Sequence, residues 1–389
     1  AEQGMNVLQI NTLPQWDRCC PDLGIWPYAS EDGVHFDWSR PNQAYWDRAA
    51  AMCRAAVEHG IRPALVLMWC NYVPGTWGAK IAERCGAEVM PREEVRAHVA
   101  RVVENLGEFD PVYVVTGDTD FAGDEAIAYY EDALDEVVKR APDALRTMHI
   151  NRGNRNIPAQ YLDRLDFYMF QPGHNYEGQP EAWRLPQDFI ANYPKKPMVN
   201  SEPCYEQMGA SRNVYWRFTA QDCRASVWSS ILAGASAGVT YGAHGVWNWQ
   251  TSRSQGSVLG EGFDMPFRWQ ECLQFAGVWD FGALEHVLAG LGATAGDDAL
   301  AVVPAQDLLD HARESIRVAR VGDRVVTYLP RTTALKFKLD GALGWTATVL
   351  DMEDKRIAKL PVRDNGDGTV RVAQHPFEHD ALVILTPEH

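Results

Sequence analysis

Two carboxylates, Asp118 and Glu202, each stand directly after a short apolar run, Pro111-Val-Tyr-Val-Val-Thr-Gly117 and Lys196-Pro-Met-Val-Asn-Ser201. Glycosidic hydrolysis needs two opposed carboxyl groups, one protonated to donate to the leaving oxygen and one ionised to attack or to activate water. The ends of other apolar runs carry side chains that suit a sugar. Trp69, Trp247 and Trp16 are candidates to wall its apolar face, and Asn71, His149, Arg152, Gln171, His174 and His244 to bond its hydroxyls.

Plainer roles compete with each of these. An Asp after a strand often caps the next helix, although Asp124 is better placed for that duty here. An acid between Ser201 and Pro203 at a strand end is costly to bury without a task, which favours Glu202; Glu206, four residues on, is its rival. The tryptophans could be packing and the histidines ordinary hydrogen-bonding residues. A metal-dependent hydrolase would use His149 and His174 as ligands, but no Lys follows the fourth-strand run and no Asp the last. The glycosidase reading needs no metal or cofactor. A third reading keeps the scaffold as a catalytically silent carbohydrate-binding protein.

The positions that matter follow seven apolar runs, at 5–10, 62–69, 111–118, 145–150, 165–171, 196–201 and 239–249. Helical patterns separate several of them: Pro41 to Gly60, Asp124 to Arg140 and Ala220 to Gly234. Strands alternating with helices predict a parallel sheet. The spacing is near the roughly 31 residues per unit of an eight-stranded (β/α) barrel with loop insertions, and no GxGxxG follows any run. In such a barrel the C-terminal strand ends form the active site, and strand ends three positions apart, as Asp118 and Glu202 would be, face each other. Seven runs against eight strands predict that the first βα unit lies outside this chain. The barrel is expected over residues 1–291.

After Gly292-Ala-Thr-Ala-Gly-Asp-Asp298 the texture changes to short alternating runs, and a small antiparallel β-sandwich is expected over residues 292–389. Asp364-Asn-Gly-Asp-Gly368 reads as a hairpin turn; it lacks the spaced ligands and terminal Glu of an EF-hand calcium loop.

The chain has 389 residues, 46% hydrophobic and 23% charged, so it can bury a large core and is not of the disordered class. Its net charge of -16 would repel nucleic acid. No run is long and apolar enough to span a membrane, and Ala1 to Gly4 leads straight into a strand-like segment with no signal peptide. The eight Cys form no CxxC pair and read as buried thiols.

Several stretches, in order, resemble the apiosidase-like glycoside hydrolases: Gly4-Met-Asn-Val-Leu-Gln-Ile10, Pro41-Asn-Gln-Ala-Tyr-Trp46, Gly60 to Trp69, Val114-Val-Thr-Gly-Asp118, Gln171-Pro-Gly-His174, Asn200-Ser-Glu-Pro203 and Tyr241 to Trp247. The resemblance covers most of the chain. It implies a (β/α) barrel followed by a small β-sandwich that carries a collagen-binding label, read here as a packing module. It also implies a retaining mechanism, with Asp118 as acid/base and Glu202 as nucleophile, acting on plant or microbial polysaccharide fragments. Family members begin with a further strand and helix before the Gly-Met-Asn-Val run, and resemblance alone does not make apiose the sugar.

Overall fold

The computed structural model describes residues 1–15, 24–210, 216–247, 249–252, 265–293, 295–296, 299–300, 302–310, 313–340 and 344–388. A strand falls on each of the seven apolar runs, though it meets the last only at Val239: β1 (Val7–Asn11), β2 (Arg62–Trp69), β3 (Val112–Gly117), β4 (Arg146–Thr147), β5 (Tyr168–Phe170), β6 (Met198–Asn200) and β7 (Gly238–Val239). The chain forms two compact units, residues 1–170 with 245–270 and residues 171–244 with 271–389. Among the described residues no helix is long and apolar enough to cross a membrane.

In the first unit β1, β2, β3 and β4 pair in that order, all parallel. All six residues of β3 and all but the first of β2 are buried, as expected of strands covered on both faces. Helices α1 (Gln43–Glu58), α2 (Arg92–Leu106) and α3 (Asp124–Arg140) supply cover, α1 packing on β2 and α3 on β3. The inward residues of α3, Ala126, Tyr130, Ala133, Leu134 and Val137, recur at helical spacing. At the edge of the sheet, β1 leaves Val7 and Leu8 about half exposed.

His98 on α2 ties this unit together. Its Nε2 donates to Leu67 O on β2 (3.0 Å), so Nδ1 is the acceptor for the Tyr28 hydroxyl (2.9 Å). Burial pushes its pKa down to about 4, which keeps the ring neutral.

In the second unit β6 and β7 pair in parallel, and helices α4 (Glu181–Asn192) and α5 (Ala220–Leu232) pack on one another. A capping box between Thr219 and Asp222 starts α5. Two antiparallel sheets follow. One has the order β8 (Val303–Pro304), β9 (Arg317–Val321), β10 (Arg324–Leu329), β16 (Ala381–Pro387), β12 (Trp345–Asp351), β13 (Ile357–Leu360). The other has β11 (Leu335–Phe337), β15 (Val370–Val372), β14 (Val362–Asp364). Val318, Val325, Val349 and Val383 from the first meet Leu335, Phe337, Val370 and Val372 from the second in one core. Asp364 to Gly368 turns the hairpin between β14 and β15, with Asn365 N bonded to Thr369 O.

The change of texture near residue 291 lies inside this unit, because α5 packs on β9 and β10. Arg224 of α5, nearly fully buried, meets Asp380 (2.7 Å), Asp280 (2.7 Å) on helix α6 (Ala276–Gly282) and Glu353 (3.3 Å). Asp380, wholly buried, also accepts the Tyr328 hydroxyl. Burial alone would lower the pKa of Arg224, but the bonds to Asp380 and Asp280 outweigh it and hold the guanidinium charged.

Unfolded His98 takes up a proton near pH 6.5 while the folded ring stays neutral until about pH 4, so its contribution falls as pH drops through that window, by up to roughly 3 kcal/mol. Urea denaturation from pH 7 to 4 is expected to show a shallower decline for His98→Gln than for the wild type. Arg224→Ala strands Asp380 as an uncompensated buried carboxylate and is expected to cost about 3–5 kcal/mol, read as a lower urea midpoint with an unchanged slope.

Candidate active site

Asp118 follows β3 with φ of +52°, a left-handed conformation that few non-glycine residues enter and that Asp tolerates better than most. Two bonds hold it there: its N–H donates to His149 Nδ1 (2.9 Å), and Trp77 Nε1 donates to its carbonyl (2.8 Å). The accepting Nδ1 leaves the His149 proton on Nε2.

The neighbouring strand end supplies Trp69 and Asn71. The Trp69 ring lies 5.6 Å from that of His149 and against Gly117, where a Cβ would run into the indole. Trp69 Nε1 and Asn71 Oδ1 are buried with no hydrogen-bond partner among the described residues. Such atoms cost about 1–3 kcal/mol each unless a ligand supplies the partner, which suits a polar ligand. Asp120 Oδ1 is in the same state. Arg152 is exposed in a turn, and Trp247 is half-buried, its Nε1 without a hydrogen-bond partner among the described residues. All these residues belong to the first unit; Trp16 lies outside the described residues.

In the second unit Glu202 lies two residues past β6. Its carboxylate is bonded to His174 Nε2 at 2.6 Å, and its carbonyl accepts from Gly173 N (3.1 Å). Both side chains are only slightly exposed, at 13% and 11%. Tyr205 covers His174 at 4.0 Å between ring centroids, and its own ring lies over Gly242, which has no side chain to obstruct it. Gln171 is buried just after β5. His244 is buried, its Nδ1 unpartnered among the described residues. Burial, with the charges of Arg217 and His174, pushes its pKa down to about 4.

Glu206, the rival carboxylate, is buried and held through its Oε2. Tyr241 OH (2.7 Å) and Gly277 N (3.0 Å) donate to it, and its backbone joins the loop after β7 through Gly242 O and His244 N. Burial raises its pKa despite those bonds. Among the described residues of the 239–249 run only Val239 belongs to a strand, β7; beyond it Gly245 takes φ of +144°, outside strand geometry. As for a metal, no three His, Cys, Asp or Glu side chains among the described residues are placed to hold one. His149 and His174 instead bond Asp118 and Glu202.

Sequence reasoning did not single out Trp77 or Tyr205. Each is an aromatic a few residues beyond a strand end, the one signal that could have marked it. The stacked pair Trp249 and Trp269, 4.4 Å apart with planes 12° from parallel, was equally unmarked.

The fold is one that glycoside hydrolases use. The chain is similar to a solved glycoside hydrolase (19% identity, TM-score 0.74, covering 100% of this chain and 86% of the other). It is also similar to a glycoside hydrolase family 5 protein from Bacteroides vulgatus (19% identity, TM-score 0.78, covering 99% and 84%). At such identities the likeness is one of fold. No curated protein gives a significant match. Residues 1–294 match the model of the apiosidase-like catalytic domain, and the chain belongs to that glycoside hydrolase family.

Gly117→Ala is expected to displace the Trp69 ring. The overpacking should cost about 1–3 kcal/mol, and kcat/KM should fall at least tenfold while the protein still folds, as checked by circular dichroism and steady-state kinetics.

Proposed function

We propose that this chain is a retaining glycoside hydrolase acting on plant or microbial polysaccharide fragments. Its seven parallel-type strands are read as members of an eight-stranded (β/α) barrel, residues 1–291 as the catalytic domain and 292–389 as a β-sandwich. Glu202 is the nucleophile and Asp118 the acid/base. The observation that carries the reading is the Glu202–His174 bond of 2.6 Å, at a strand end and under the Tyr205 ring. His174 as donor fixes the orientation of the carboxylate and stabilises its charged form until it attacks the anomeric carbon.

Asp118 in turn has its backbone held by His149 and Trp77, which fixes the point from which its side chain extends. It would protonate the leaving oxygen, then deprotonate the water that releases the sugar from Glu202. Trp69 and Trp247, with Trp16, would cover the sugar's apolar face. Asn71, Arg152, Gln171, His174 and His244 would bond its hydroxyls.

The test uses an aryl glycoside identified from a panel of furanosides and pyranosides. Glu202→Ala is expected to lose at least 10³-fold in kcat, with azide restoring turnover and giving a glycosyl azide of inverted configuration. Asp118→Asn should slow poor leaving groups far more than activated aryl ones. A Glu202→Ala enzyme as active as the wild type would overturn the assignment.

A further inference from the structure

Within the second unit a cleft of about 730 Å³ opens between the start of α5, helix α6 and the segments around Glu353 and His379. None of the residues lining it is among those singled out at the strand ends. Helix α6 turns Gly277, Val278 and Phe281 inward, which leaves Trp279 on the opposite side, 52% exposed and on the wall of the cleft. An indole in water is unfavourable surface unless a partner covers it.

The rest of the wall is charged but nearly balanced. Lys355 Nζ lies 2.6 Å from Asp280 Oδ1, Arg224 meets Asp280 from beneath at 2.7 Å, and His379 Nε2 is 3.5 Å from Glu353 Oε2. His379 Nδ1 has no hydrogen-bond partner among the described residues. An anionic ligand would meet Asp280 and Glu353, a cationic one Lys355 and Arg224, and a wholly apolar one would strand all four from water. A molecule with one apolar face and a rim of hydroxyls meets none of these penalties, and the cleft falls within the roughly 300–1,000 Å³ of ligand sites.

We propose that this cleft is a second carbohydrate-binding site, in which a neutral glycan segment stacks on Trp279 and bonds Glu353, Lys355 and His379 through its hydroxyls. The proposal rests on the chain's being a glycoside hydrolase and not on the roles of Asp118 and Glu202. The azide-rescue experiment and the one below therefore fail independently.

The test is native affinity electrophoresis of the intact protein through gels holding soluble arabinan, galactan or xylan, with polygalacturonate as the acidic comparison. The wild type should be retarded by at least one neutral polymer and not by polygalacturonate alone. Trp279→Ala should weaken that retardation at least fivefold with an unchanged melting temperature, and Trp279→Phe, which keeps a stacking face, should restore most of it. Glu202→Ala, read in the same gels, should remain retarded. No retardation of the wild type by a neutral polymer, or equal retardation of wild type and Trp279→Ala, would overturn the proposal.

Discussion

Burying a charged guanidinium is costly unless opposite charges are brought to it, and the second unit gathers three carboxylates around Arg224. The residue sits on a helix that follows the β6 segment, yet Asp380, one of its two nearest anions, comes from just before β16 of the C-terminal sheet. Asp280 and Glu353 complete the set from two further segments. A hydrophobic contact between α5 and the sheet could slide by a fraction of a turn with little penalty. A buried ion pair with a Tyr328 hydroxyl on the same carboxylate cannot. The contact therefore sets the register of α5 against the sheet as well as holding the two together.

The same logic of fixed hydrogen-bonding partners runs through the strand ends. Asp118 is held in left-handed backbone by one imidazole and one indole, and Glu202 is oriented by another imidazole under a tyrosine ring. Glu206 resembles Glu202 in type and in nearness to β6, but a tyrosine and a backbone amide already occupy it. The two acids differ in surroundings: Glu206 is almost wholly buried and held through one oxygen, whereas Glu202 keeps some exposure beside His174.

Much of the scaffold was legible in the sequence because its signals are local. Buried parallel strands read as apolar runs, and six of the seven runs hold all or most of a strand; α3 begins and ends at Asp124 and Arg140 as its periodicity predicts. The C-terminal antiparallel strands and the Asp364 hairpin were visible for the same reason. The reading overran at 239–249, where an apolar, aromatic composition masked glycine conformations that no periodicity reports. The three anions around Arg224 were invisible because they are 56 to 156 residues away. The strand-end rule found His149 and His174, but not that each would be committed to one of the two carboxylate-bearing residues, since that depends on loop geometry.

The distance along the chain between Arg224 and Asp380, 156 residues, also has a bearing on how the protein is made. At about 5–20 residues per second on the ribosome, the helix would wait roughly 10–30 s for its final anion. Asp280 arrives first, then Glu353, then Asp380, so the charge on Arg224 is met in stages as the chain lengthens. Until Asp380 is synthesised, α5 can be helical but cannot be buried in its final setting, so a site begun at one helix is completed only when a segment far along the chain arrives.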